Sequence, residues 1–241
     1  MLSSVIWPTT PCSSLMLYGS HSRGDQTPDS DIDLLSLTAA RWPGSHAIGH
    51  VRLSTYPTDL LERMALDGSL FVWHLAEEGK IVLDDNDILK AIIAKFTFAQ
   101  DYSGVRAEAA ELGWLLVQQP DLRLGPAACD ALLFVIRTIA LCDLVARRSP
   151  CFSRDAMTRE FGDPRLSRLW DAKRGTALST ADGEILMDFL RDHGGPVPTW
   201  VRPSPIRPPL SRLSPVTRAK VRKILEAHSG ATDIRESWYH L

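Results

Sequence analysis

The sequence predicts an α+β protein. Three observations carry that expectation. Short apolar runs punctuated by Gly, Pro, Asp and Ser fill residues 1–98. Apolar positions recur at helical spacing across residues 99–195. Seven prolines then crowd residues 196–215, and no Asp or Glu occurs from Pro196 to Lys223. The expected division is a β-rich domain over 1–98, a helical domain over 99–195 and a Pro-rich basic C-terminal extension over 196–241.

In the first segment "SLMLYGS" (14–20), "DIDLLSL" (31–37), "AIGHVRLSTY" (47–56) and "KIVLDD" (80–85) read as strands. Pro57 opens a helix whose Leu60, Leu61, Met64 and Ala65 share a face. A second helix, "SLFVWHLAEE", stops at Gly79, and Asn86 or Asp87 is placed to cap a third, "DILKAIIAKFTFA". In the second segment "DYSGVRAEAAELGWLLVQQ" and "PAACDALLFVIRTIALCDLVARR" predict long amphipathic helices. "SRDAMTREF", with Ser153 as N-cap, "DPRLSRLWDAKR", with proline in the first turn, and "TADGEILMDFLRDH" complete a five-helix bundle. The prolines of the third segment exclude helix and central strand, so an extended arm is expected there, followed by a short basic helix over 216–228.

Composition sets the bounds. The 241 residues are 44% hydrophobic and 23% charged, enough to bury a core and unlike a disordered chain. The net charge of −2 conceals an acidic body and a basic tail. Cys12, Cys129, Cys142 and Cys151 show neither CxxC pairing nor zinc spacing. The N-terminal residues lack a basic region followed by a long apolar one, and the most apolar run is broken by Arg137 and Asp143. The expectation is a cytoplasmic protein with no membrane partner.

The chemistry concentrates in "GSHSRGDQTPDSDIDLL", residues 19–35. In a strand residues i and i+2 share a face, so Asp31 and Asp33 aim together while Ile32 and Leu34 turn toward the core. Like charges so close repel, and aspartate is a poor strand former. Two carboxylates on one face can hold divalent cations, about 3.5–4 Å apart where two ions share a site. Gly19 permits close backbone approach, Ser20 offers a hydroxyl and an N–H to phosphate, and Arg23 has the geometry to pair with a triphosphate.

In that register Gly-Ser, the spacer and Asp-Ile-Asp resemble the signature of the DNA polymerase β-like nucleotidyltransferase superfamily, closest to its minimal nucleotidyltransferases and aminoglycoside adenylyltransferases. The resemblance covers residues 14–95. It implies a small mixed sheet with helices packed on it, and a helical domain that helps bind an acceptor. The activity it implies is Mg²⁺-dependent transfer of a nucleoside monophosphate, AMP being expected, from ATP or another NTP to an acceptor hydroxyl. Two ions would be held by Asp31 and Asp33. An aminoglycoside-like amino sugar is the expected acceptor. A toxin–antitoxin-type modifier of a protein or tRNA, and a nucleotide-binding regulatory module, are the alternatives.

One expected part is missing. Members of the superfamily place a third acidic residue on a later strand, but "AIGHVRLSTYP" carries His50, Arg52, Ser54 and Tyr56 on one face and Val51, Leu53 and Thr55 on the other. Asp59 and Glu62 follow on the next helix. A base could come instead from the helical domain, where Glu108 and Glu111 share a helix face, with Glu108 the candidate. The acceptor hydroxyl could also need little help, or the site could bind without turnover. Lys173 is a further candidate for the triphosphate, against the simpler reading that Lys173 and Arg174 close a helix. His74 reads as a packed core histidine, and His21 as a residue near nucleotide or facing water. "RKILEAH" and "RWPGSH" both fit a loose nuclease spacing, so that pattern carries no weight. The basic C-terminal arm, with Trp200 available for stacking, could contact RNA or protein.

Overall fold

The computed structural model describes residues 13–171, 177–200 and 210–227. The chain forms two compact units, Met1–Gln100 and Asp101–Leu241.

The first unit runs β1 (Ser14–Tyr18), α1 (Ser20–Arg23), β2 (Ile32–Thr38), β3 (Gly44–Ile48), β4 (Val51–Pro57), α2 (Thr58–Leu66), α3 (Leu70–Glu78), β5 (Lys80–Asp84) and α4 (Ile88–Ile93). Its sheet has the order β3-β4-β2-β1-β5. β2 and β4 are parallel and the other neighbours antiparallel, so the sheet is mixed and the fold α+β.

Three local expectations are corrected. The strand expected over 47–56 is two strands, folded back at Gly49-His50 so that Ile48 pairs with Val51. Gly49 has φ 55, a left-handed conformation that suits a two-residue hairpin turn. Asp87 holds the N-cap position of α4, with Asn86 before it, but the Asp87 side chain makes no capping hydrogen bond. Both have positive φ, and the Asp84 carboxylate reaches over them to accept the Leu89 and Lys90 N–H groups at 2.9 and 2.8 Å. Finally, the face of β2 that packs on helices is not that of Ile32 and Leu34. Leu35, with Leu37 beside it, joins Met16 of β1 in a core shared with Leu61 and Ala65 of α2, Val72 and Leu75 of α3, and Leu89 and Ile92 of α4. Asp33, two residues before Leu35, therefore stands at the open end of the helix-covered face. Each fully buried leucine there contributes about 1.5–3 kcal/mol.

The second unit contains α5 (Ser103–Gln118), α6 (Pro126–Ala146), α7 (Arg154–Phe161), α8 (Pro164–Trp170), α9 (Thr180–His193) and α10 (Pro215–Ala227). α5 packs on α6 and α9. Side-chain caps start three helices: Ser153 accepts from Ala156, Asp163 from Arg165, and Ser179 forms a reciprocal box with Asp182. α10, the basic helix expected over 216–228, packs on α5 and α6 through Thr217, Val221, Ile224 and Leu225. Residues 201–209 of the proline-rich stretch lie outside the described residues. Cys129 and Cys142 are buried in α6, and burial pushes the Cys142 thiol up to about 11, so it serves packing rather than chemistry. Among the described residues no helix is long and apolar enough to cross a membrane.

Candidate active site

β1 ends at Tyr18 and the chain turns at once through Gly19 into the single turn of α1. Gly19 has φ 75 and ψ −154, a conformation open essentially to glycine alone. The reason lies across the sheet. A Cβ at position 19 would stand 2.9 Å from Asp33 Oδ2, so the backbone at this turn runs directly against the carboxylate. Tyr18 and Asp33 are register partners on β1 and β2. Sheet register and glycine together deliver Ser20 and Asp33 to the same corner.

Asp31 stands one residue ahead of β2, where the Ile32 N–H donates to the His50 carbonyl at 2.7 Å. Opposite Asp33 on β4 is Arg52. Its Nε lies 2.7 Å from Asp31 Oδ2 in an ion pair, and its side chain is 56% exposed while that of Asp31 is 22% exposed. An arginine thus occupies the strand position facing the paired aspartates. β4 contributes no carboxylate, and among the described residues no three His, Cys, Asp or Glu side chains are grouped to hold a metal.

The turn after Gly19 is pinned from below. Ser22 Oγ donates to the Glu78 carbonyl at the end of α3, and the Lys80 ammonium donates to the Ser22 carbonyl. Arg23, expected to face a triphosphate, gives its guanidinium to two carboxylates, Glu78 Oε2 at 2.6 Å and Asp25 Oδ2 at 3.0 Å. Burial alone would lower its pKa, but those two carboxylates raise it above the ordinary value. His74 is 6% exposed, lies edge-on to the Tyr18 ring at 5.8 Å, and meets the same Glu78 oxygen at 2.8 Å. Glu78, which the sequence reading passed over, is therefore the hub beneath the turn. Its signal was the i,i+4 spacing from His74 on one helix. His21 Nε2 lies 3.4 Å from the Ser30 carbonyl and spans the loop that leads to Asp31.

The remaining candidates belong to the second unit. Glu111 accepts the Ser214 N–H on Oε2 at 3.0 Å and so caps the approach to α10. Glu108, one turn earlier on α5, is half-buried, and its main-chain carbonyl accepts from Thr217 Oγ1 at 3.2 Å. Lys173, with Arg174, lies outside the described residues. A pocket of about 270 Å³ in this unit is lined by Leu133, Phe134, Arg137, Phe152, Arg154 and Trp170, an aromatic and cationic wall.

A mixed sheet, a glycine-only turn laid against an aspartate and a second aspartate nearby make up the candidate site, at the positions of the sequence signature. Comparison with known proteins agrees with that resemblance: residues 9–68 match the nucleotidyltransferase domain. Among solved structures, a nucleotidyltransferase-like protein from Exiguobacterium sibiricum aligns over 75% of this chain and 67% of its own, at 14% identity and a TM-score of 0.32. No curated protein matches the chain significantly.

Proposed function

We propose that the protein is a Mg²⁺-dependent nucleotidyltransferase that moves a nucleoside monophosphate, AMP from ATP in the simplest case, onto an acceptor hydroxyl. The observation that carries this is the contact between Gly19 and Asp33, because a glycine-only turn that admits the carboxylate so closely sets the Ser20 hydroxyl and N–H beside it, phosphate donors next to a cation ligand. The residues fit magnesium: Asp31, just ahead of β2, and Asp33 within it are hard oxygen donors, and magnesium is commonly held by one or two carboxylates plus substrate phosphates. Bound there, the ion would neutralise charge on the phosphates.

The chain's own groups do the rest. Ser20 would hold a phosphate oxygen, and the pinned turn fixes its position. Rate enhancement would come mainly from holding donor and acceptor in line and from fixed charge at the leaving pyrophosphate. The acceptor class is kept broad, an amino sugar or a protein or tRNA hydroxyl. The pocket bearing Arg137 and Arg154 is an unsuitable place for a polycation. Contact with RNA or protein through the basic C-terminal residues belongs to the same proposal.

A second reading, nucleotide binding without turnover, is favoured by the ion pair between Arg52 and Asp31. The test is incubation with magnesium and each α-labelled NTP in a lysate separated into protein, RNA and small-molecule fractions. Label entering one fraction, and absent with Asp31→Ala/Asp33→Ala, supports transfer and names the acceptor class. Magnesium-dependent binding with no label in any fraction favours the second reading.

A further inference from the structure

We infer that Arg52 makes this a one-metal nucleotide site, the guanidinium standing where a second divalent cation would sit and presenting fixed positive charge to the phosphates. The inference rests on the nucleotide-binding reading of Asp31 and Asp33. Two cations about 3.5–4 Å apart need carboxylate oxygens to bridge and flank them. The strand that faces the pair supplies an arginine instead. Arg52 is the register partner of Asp33, so its side chain leaves β4 on the same face as the carboxylates, and its Nε is already 2.7 Å from Asp31 Oδ2. A divalent ion beside that oxygen would meet a permanent positive charge at contact distance.

The same group suits phosphate. A guanidinium carries five N–H donors in a planar fork that matches phosphate oxygens, and it stays charged at every working pH. Arg52 uses Nε on Asp31, and more than half of its side chain is exposed, so a triphosphate can reach it. Arg23, the other arginine near this corner, is held by Glu78 and Asp25. Arg52 is therefore a substrate-positioning residue, and Asp31 is as much its anchor as a metal ligand.

The experiment counts ions. Mn²⁺ bound per protein is measured by electron paramagnetic resonance and by calorimetry, with a non-hydrolysable α,β-methylene NTP, for the wild type, Arg52→Glu and Arg52→Gln. One Mn²⁺ per nucleotide complex in the wild type, and two in R52E, is the expected result. In R52Q without nucleotide, Mn²⁺ affinity rises about tenfold as the competing charge is removed, while nucleotide affinity falls by a similar factor. Two Mn²⁺ in the wild type, with nucleotide bound, overturns the inference and leaves the transferase reading intact. Unchanged Mn²⁺ affinity in R52Q also overturns it, independently of whether R52E folds. No Mn²⁺–nucleotide binding by the wild type overturns the nucleotide site itself and the inference with it.

Discussion

Asp31 and Asp163 are both aspartates held by an arginine, yet they are held in different ways. Asp163 is 7% exposed and its carboxylate is saturated by the protein. Oδ1 accepts from the Arg165 N–H at 2.9 Å, which caps α8, and Oδ2 accepts from Arg165 Nη2 at 2.6 Å and His193 Nε2 at 2.8 Å. Arg165 in turn reaches Asp192 at 2.7 Å. Burial alone would raise the Asp163 carboxyl, but these bonds from Arg165 and His193 hold it below its ordinary value. Among the described residues Asp31 has a single ion-pair partner, on an open sheet end. A carboxylate whose lone pairs are filled by its own chain is a structural piece. One held by a single exposed guanidinium can still exchange that partner for a ligand.

The largest expected effect tests the structural half of the contrast. Asp163→Ala removes a helix cap and strands Arg165 and His193, at a cost of about 2–4 kcal/mol measured by urea unfolding. The pH dependence has a definite sign. Because the folded pKa lies below the unfolded value of about 3.9, the stabilisation is fully present above that value and is lost as pH falls through the folded one. Asp163→Asn should therefore flatten the acid limb of the stability–pH curve, and an unchanged limb would break the comparison.

Asp33→Asn tests the other half. Transfer of label from α-labelled NTP should drop at least about a hundredfold, as for loss of a preorganised charge at a reacting phosphate, with little change in melting temperature. Gly19→Ala falls between the halves. The left-handed conformation and the clash with Asp33 Oδ2 should cost about 1–3 kcal/mol in thermal unfolding and weaken nucleotide binding in the same protein. The smallest effect is expected for Arg52→Gln, which should change stability by no more than about 1 kcal/mol, since exposed pairs contribute little. A larger loss would place Asp31–Arg52 with Asp163–Arg165 as structure.

Much of this was readable in advance because it depends on neighbours in sequence. Gly19-Ser20 and Asp31-Ile32-Asp33 announce a turn and a paired carboxylate face. The serine and proline signals located the starts of α7 and α8, since a cap is satisfied within one turn. The misses have a common cause. Gly49-His50 read as the middle of one strand because apolar residues continue on both sides of it, and only pairing of Ile48 with Val51 reveals the hairpin. Asp84 was passed over as a cap because it acts from beyond two residues of positive φ. Ile32 and Leu34 were as apolar as Leu35 and Leu37, and helix packing alone chose between the two faces.

The sequence by itself determined the class of the first unit, the turn that needs glycine and the identity of the paired aspartates, because each rests on local backbone geometry and side-chain chemistry. It also showed that no acid lies on the strand facing them. Tertiary structure alone decided what stands there instead and to whom it is bonded. Parallel pairing of β2 with β4 sets Arg52 opposite Asp33, and the side chain then reaches Asp31. Folding α3 beneath β1 commits Arg23 to Glu78, and packing α10 on α5 commits Glu111 to Ser214. Which charges are spent inside the fold and which remain for a ligand depends on partners distant in sequence, and only the folded chain brings those together.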